Sequence, residues 1–217
     1  MRNNQIESYK TKLKLTSIER EILVGTLLGD GHLETQNDGK TYRLKIEHSI
    51  KQKFYTQWLY LSFKPWVLTL PKVKKKKAGE NESINIGFQT ISHGSFRFYG
   101  KQFYHNGRKT VPKLINKMLT PMALAVWFMD DGSLKSKDHK ALIFNTHSYQ
   151  PQELAFLRKV LNEKYNIETG LRQQKDGVQL LIVEPFATRL ALIIKPFLLQ
   201  EFYYKLGRIG LTKLPKE

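Results

Sequence analysis

Two mostly apolar runs in this chain end in the same dipeptide. The first is Leu23-Val24-Gly25-Thr26-Leu27-Leu28-Gly29-Asp30-Gly31, and the second is Leu124-Ala125-Val126-Trp127-Phe128-Met129-Asp130-Asp131-Gly132. An aspartate at the end of an otherwise apolar helix is costly to bury unless something binds it. The partial negative charge of a helix C-terminus adds to that cost. A divalent cation removes both penalties. Two such carboxylates, Asp30 and Asp131, stand at matching places 101 residues apart. They constrain the chain to a duplicated fold with a metal-dependent site on a pseudo-two-fold axis. One Asp-Gly alone is a common turn signal; two in matching contexts are not explained that way.

The flanks repeat too. Thr16-Ser17-Ile18-Glu19 has capping-box spacing and predicts a helix start, and Thr120-Pro121 places an N-cap before a proline at the first helical position. A strand pair is expected after each Asp-Gly. In the first half Tyr42, Leu44, Ile46 and His48 alternate with Thr41, Arg43, Lys45 and Glu47, a period of two. In the second half the counterpart is Lys140 to Thr146. Helices are then predicted over Lys51–Phe63 and Pro151–Tyr165. Hairpins follow over Val73–Thr90, turning near Ala78-Gly79-Glu80-Asn81, and over Glu168–Val183, turning at Asp176-Gly177. Last come helices over Ser95–His105 and Pro185–Leu199. The expected fold is therefore α+β: two pseudo-symmetric αββαββα domains, 1–105 and 120–217, each with a four-stranded antiparallel sheet. Residues 106–119, polar and basic with Pro112, are expected as the linker. Antiparallel sheets of this kind pack one face on helices and leave the other to solvent.

Composition selects the partner. The net charge is +17, from 36 Lys+Arg against 19 Asp+Glu, and that excess points to a nucleic acid. Two open sheet faces side by side make a saddle for double-stranded DNA, since a β-surface can enter the major groove. No apolar run reaches the ~20 residues of a membrane span, and Met1 to Lys14 lacks the apolar stretch of a secretory signal. The absence of cysteine removes thiolate nucleophiles and zinc–thiolate sites. Lys72, Lys74, Lys75 and Lys76 form a cluster suited to phosphates. Arg43 and Lys45 in the first half, and Arg172 and Gln174 in the second, lie on polar strand faces; Arg and Gln can each make bidentate base contacts. His48 and His147 both precede a serine and a helix, which suits strand-end or capping roles; His32 lies nearer the site. Trp58 and Trp66 fit cores.

The two nine-residue segments resemble the LAGLIDADG motif of homing endonucleases and related intron maturases. Leu119 through Asp131-Gly132 is the most specific stretch, and it is similar to the second motif of single-chain, two-motif members such as those of omega-type mitochondrial introns. The resemblance implies that the two motif helices pack together through small residues, Gly25 and Ala125 among them. Val126 and Trp127 depart from the pattern. It further implies that Asp30 and Asp131 bind Mg²⁺ beside two scissile phosphates, with the carbonyls of Gly29 and Asp130 as added ligands. Mn²⁺ is the expected substitute, and Ca²⁺ is expected to support binding without efficient cleavage. Lys109 and Lys205 match the basic residue that family members place near each scissile phosphate. The implied activity is site-specific double-strand cleavage of a long asymmetric target, leaving 3′ overhangs, by a monomer. An intron-RNA-binding maturase and a non-catalytic DNA-binding regulator are the alternatives, so host intron RNA is a second possible partner. The expected compartment is a mitochondrion or chloroplast, with the bacterial cytoplasm as the other option.

Overall fold

The computed structural model describes residues 2–78, 81–136 and 140–211. Its first element is one that the sequence pattern does not predict. Helix α1 (Arg2–Thr11) carries no apolar stripe, so period-based reasoning passes over it. Long-range bonds hold it instead. The Tyr9 hydroxyl donates to the Pro65 carbonyl at 2.6 Å, and His93 Nε2 meets the Lys10 carbonyl at 3.1 Å.

Helix α2 (Ser17–Leu28) starts where the capping box predicts. The Thr16 N–H donates to Glu19 Oε2 at 2.7 Å, and the Glu19 N–H donates to Thr16 Oγ1 at 3.2 Å. The other oxygen of Glu19 accepts the indole N–H of Trp66 at 2.9 Å, and both side chains are buried. One carboxylate thus caps a helix and satisfies a core tryptophan. Glu19→Ala is expected to cost roughly 2–4 kcal/mol, because it deletes a cap and strands a buried donor. Glu19→Gln, which keeps an acceptor, should cost much less. Denaturant midpoints of the two variants measure the difference; equal midpoints would contradict the double role.

The chain folds into two compact units. The first comprises Met1–Leu23 and Asp30–Lys101, the second Val24–Gly29 and Gln102–Glu217. In the first unit α2 leads to β1 (His32–Glu34), β2 (Arg43–Ser49), α3 (Lys53–Ser62), β3 (Lys72–Ala78) and β4 (Asn81–Gln89), and α4 (Arg97–Phe103) reaches the unit boundary. The sheet is antiparallel, in the order β1-β2-β4-β3. Leu44, Ile46 and His48 of β2 are buried, so the alternation in the sequence sets the inner face. A 3₁₀ turn, Ile50–Gln52, replaces the first residues of the helix expected from Lys51. The centre of the expected turn at Ala78-Gly79-Glu80-Asn81, Gly79 and Glu80, lies outside the described residues.

The second unit repeats this plan after a short insertion. Strands β5 (Tyr104–His105) and β6 (Arg108–Lys109) form a hairpin, followed by α5 (Ile115–Met118). The expected helix over Ser95–His105 therefore stops at Phe103, and His105 pairs with Arg108. The turn between them is Asn106-Gly107, both at positive φ (50° and 75°), as a tight hairpin turn requires. The segment expected as a linker thus carries β6 and α5. Next come α6 (Pro121–Asp131), β7 (Gly132–Leu134), β8 (Ala141–Phe144), α7 (Pro151–Tyr165), β9 (Gly170–Gln174), β10 (Gly177–Val183) and α8 (Phe186–Ile194). A 3₁₀ segment over Gln200–Leu211 follows. The sheet order, β7-β8-β10-β9, matches the first unit's position for position. Thr120 caps α6, accepting the Ala123 N–H at 3.2 Å.

The C-terminal part of α2 packs against α6 inside this second unit. A Cβ on Gly25 would lie 2.5 Å from the Ala123 carbonyl oxygen and 2.5 Å from Val126 Cβ. Only glycine permits that approach. Trp127 sits away from the crossing: it is buried and stacks on Phe144 at 4.0 Å.

Candidate active site

Each motif ends on a carbonyl that a lysine grips. Lys109, on β6, donates from Nζ to the Gly29 carbonyl at 2.5 Å. Lys205, on the Gln200–Leu211 segment, donates to the Met129 carbonyl at 2.6 Å and reaches the Asp130 carbonyl at 3.4 Å. Gly29 precedes Asp30, and Asp130 precedes Asp131. The same arrangement therefore recurs at both motif ends: an aspartate, the carbonyl before it, and an ammonium on that carbonyl. Lys205 is buried, and cation–π contact with the Phe202 ring at 5.1 Å adds to its placement.

The aspartates differ in their surroundings. Asp131 is half-buried, and its Oδ2 accepts the Trp127 indole N–H at 3.2 Å, one helical turn away. Asp30 is exposed, and its Oδ2 lies 3.9 Å from His48 Nε2 in the first unit. His48 is buried on the inner face of β2; its Nδ1 bonds Thr56 Oγ1 at 3.0 Å and its ring sits 4.9 Å from that of Tyr55. His48 sits near the end of β2, and the ring's second nitrogen adds an approach to Asp30 that β2 periodicity alone does not reveal. Trp127 was legible only as a bulky departure from the motif, yet its N–H orients Asp131. Tyr149 is a further addition: it is buried, and its hydroxyl donates to the Leu28 carbonyl at 2.6 Å at the end of α2. Burial pushes its phenol up, so it stays a neutral donor.

Each motif aspartate offers carboxylate oxygens, the kind of ligand that hard divalent cations prefer. The carbonyls of Gly29 and Asp130 each accept a lysine N–H bond. At Gly29 a Cβ would collide with the Asp130 carboxyl, so the lack of a side chain there keeps the motif end open.

The expected DNA-contacting residues sort by strand register. Lys45 faces Gln89, Lys72 faces Gly87, Lys74 faces Asn85 and Lys76 faces Ser83. Lys72, Lys74 and Lys76 thus share the outer face of the first sheet with Arg43 and Lys45. Lys75 points to the opposite face and pairs with Glu82 at 3.3 Å. Acidic partners temper this outer face. Arg43 bonds Glu34 through Nε at 2.7 Å and holds its carboxyl below the ordinary range. Lys76 and then Asn85 do the same for Glu47. His32 also lies on this face, paired with Lys45. In the second sheet Arg172 and Gln174 share a face by register. Arg172 donates to Gln179 at 3.2 Å, and Gln179 donates to Asn145 at 2.7 Å, a polar row that runs from β9 across β10 to the residue that follows β8.

Two repeated αββαββα units, each motif helix leading into an aspartate with a lysine on the preceding carbonyl, define a duplicated two-motif α+β protein. Residues 20–185 match the LAGLIDADG DNA endonuclease family, and the chain belongs to that family. DNA endonuclease I-ChuI of Chlamydomonas applanata is 30% identical over 211 residues, 90% of this chain and 97% of its own length. Cytochrome b mRNA maturase bI2 of Saccharomyces cerevisiae is 30% identical over 203 residues, 86% of this chain and 46% of that protein. Among solved structures, the homing endonuclease I-WcaI bound to its DNA recognition sequence has a TM-score of 0.87 at 26% identity, covering 93% of this chain and 91% of that one. No helix among the described residues is long and apolar enough to cross a membrane.

Proposed function

We propose that this chain is an intron-encoded homing endonuclease that cuts both strands of a long, asymmetric DNA target and leaves 3′ overhangs. The observation that carries the proposal is the matched motif end: Lys109 on the Gly29 carbonyl and Lys205 on the Asp130 carbonyl, each beside a motif aspartate. Asp30 and Asp131 would hold the divalent cations, Mg²⁺ in the cell and Mn²⁺ as a substitute. Bound metal supplies an acidified water and charge neutralisation at the phosphate. Each lysine places a fixed positive charge where a phosphate oxygen gains charge. Trp127 sets the Asp131 carboxylate and His48 approaches the Asp30 carboxylate, so each acid is presented in a defined orientation. Lys45, Lys72, Lys74 and Lys76 meet the phosphate backbone. Arg43, Arg172 and Gln174 face the base edges, Arg43 by exchanging Glu34 for a base. One chain supplies both motifs, so it acts as a monomer, in a mitochondrion or chloroplast.

The likeness to a cytochrome b mRNA maturase supports a second reading, in which an intron RNA is a further partner. Retention of both aspartates favours cleavage as the primary activity. The deciding experiment is selection of cleavable sequences from a randomised duplex library with Mg²⁺. Recovery of one long asymmetric site cut in both strands is the expected result. Failure to cut any duplex, together with tight binding to a structured intron RNA, would transfer the proposal to the maturase reading.

A further inference from the structure

Glu153 opens α7 as the N3 residue of a capping box, accepting the Gln150 N–H on Oε2 at 2.7 Å. Its carboxylate does more than cap. Oε2 also accepts Arg108 Nη1 at 3.0 Å, while Oε1 accepts Arg108 Nη2 at 2.9 Å and the Val111 N–H at 3.2 Å. Four N–H bonds converge on two oxygens of a side chain that is only 13% exposed. Burial pushes this carboxyl up, but the Arg108 guanidinium and the amides of Gln150 and Val111 outweigh it and hold it below the ordinary range.

The two anchors on the other side, Arg108 and Val111, bracket Lys109 and Thr110. On the inner side of the hairpin the Thr110 N–H donates to the Phe103 carbonyl at 2.7 Å. The backbone at Lys109 is therefore fixed from both sides. A lysine stem has many rotamers, so where its ammonium settles depends on how firmly its Cα is held. Lys205 sits on the Gln200–Leu211 segment, outside the hairpin that Glu153 grips.

We infer that Glu153 is a positioning residue for Lys109: a carboxylate from the second copy's helix that sets the ammonium at the first copy's motif end. The inference rests on the endonuclease reading for its kinetic consequence, because only one of two strand cuts depends on Lys109. Its structural consequence stands apart from that reading.

The test uses Glu153→Ala, Arg108→Ala, Glu153→Gln and the exchanged pair Arg108→Glu with Glu153→Arg, on a duplex labelled separately in each strand. Glu153→Ala is expected to slow one strand about 10–100-fold, the range that misplacement of a positioned group produces. Nicked duplex accumulates, always in the strand that Lys109→Met also slows. Affinity in Ca²⁺ stays near wild type. Arg108 is 46% exposed, so Arg108→Ala keeps the fold while removing the same bidentate pair, and it shows the same strand bias. Glu153→Gln and the exchanged pair recover part of the lost rate. Equal slowing of both strands, or of neither, overturns the inference. A wild-type protein that cuts no DNA overturns the endonuclease reading instead. In that case the side-chain methylene order parameters of Lys109 decide: they fall in Glu153→Ala, and unchanged values overturn the tie.

Discussion

Asp30→Asn and Asp131→Asn are each expected to abolish double-strand cleavage while DNA binding in Ca²⁺ persists. Asparagine keeps the shape and an acceptor oxygen, so the Trp127 bond to position 131 survives and the fold is preserved. At position 30 the side chain is 53% exposed, so the neutral residue carries little folding cost. What is lost is the negative charge that, in the proposed mechanism, would hold a hard cation at that motif end. Removing a single preorganised electrostatic group typically costs about 10²–10³ in rate, and losing the metal should cost at least that. Mg²⁺-dependent cleavage by each variant, measured beside its affinity in Ca²⁺, tests the point. If either variant cut both strands at the wild-type rate, the two-carboxylate mechanism would be wrong and the Asp-Gly pairs would be turns.

The second large effect is on salt dependence. Each phosphate that a lysine neutralises contributes about −0.9 to the slope of log affinity against log salt on B-DNA. Lys72, Lys74 and Lys76 share one face, so replacing all three with alanine should flatten the slope by about 2 to 3. The lower figure applies if Lys76 stays with Glu47, its ion-pair partner in the free protein. Lys75→Ala should leave the slope where it was, because that side chain lies on the opposite face against Glu82. A Lys75 effect equal to the others would mean that the cluster acts through bulk charge and not through a face. Fluorescence anisotropy across a salt series separates these outcomes.

The contrast between Lys74 and Lys75 shows what sequence patterning reaches. Local signals were legible. Both helix caps lie within four residues of the partner they need, and the alternation in β2 is a strand's own geometry. The two motif ends were legible because each is a contiguous phrase. The face on which each lysine lies needed the register of β3 against β4, which no composition carries. Helix α1 was illegible because bonds to residues far along the chain, Pro65 and His93, hold it and no apolar stripe announces it. The β5–β6 hairpin carried a readable signal, Asn106-Gly107 between two short strands, but basic charge and Pro112 drew the segment toward a linker. Glu153 reads in sequence as an ordinary helix-start acid; its grip on Arg108 and Val111 spans more than 40 residues.

Strand β3 is the outermost strand of its sheet. A free strand border offers unpaired amides and carbonyls to any passing chain, and natural sheets discourage that pairing with lysines. Lys72, Lys74, Lys75 and Lys76 are all exposed along this border. Three of the four, Lys72, Lys74 and Lys76, are also proposed to hold DNA, so the charges that discourage edge-to-edge pairing are largely the ones that would meet the phosphates. Tuning this strand for a new target by stripping lysines would trade specificity against solubility. Such variants should self-associate before they lose their fold, and should be rescued by the polyanion whose phosphates cover the border.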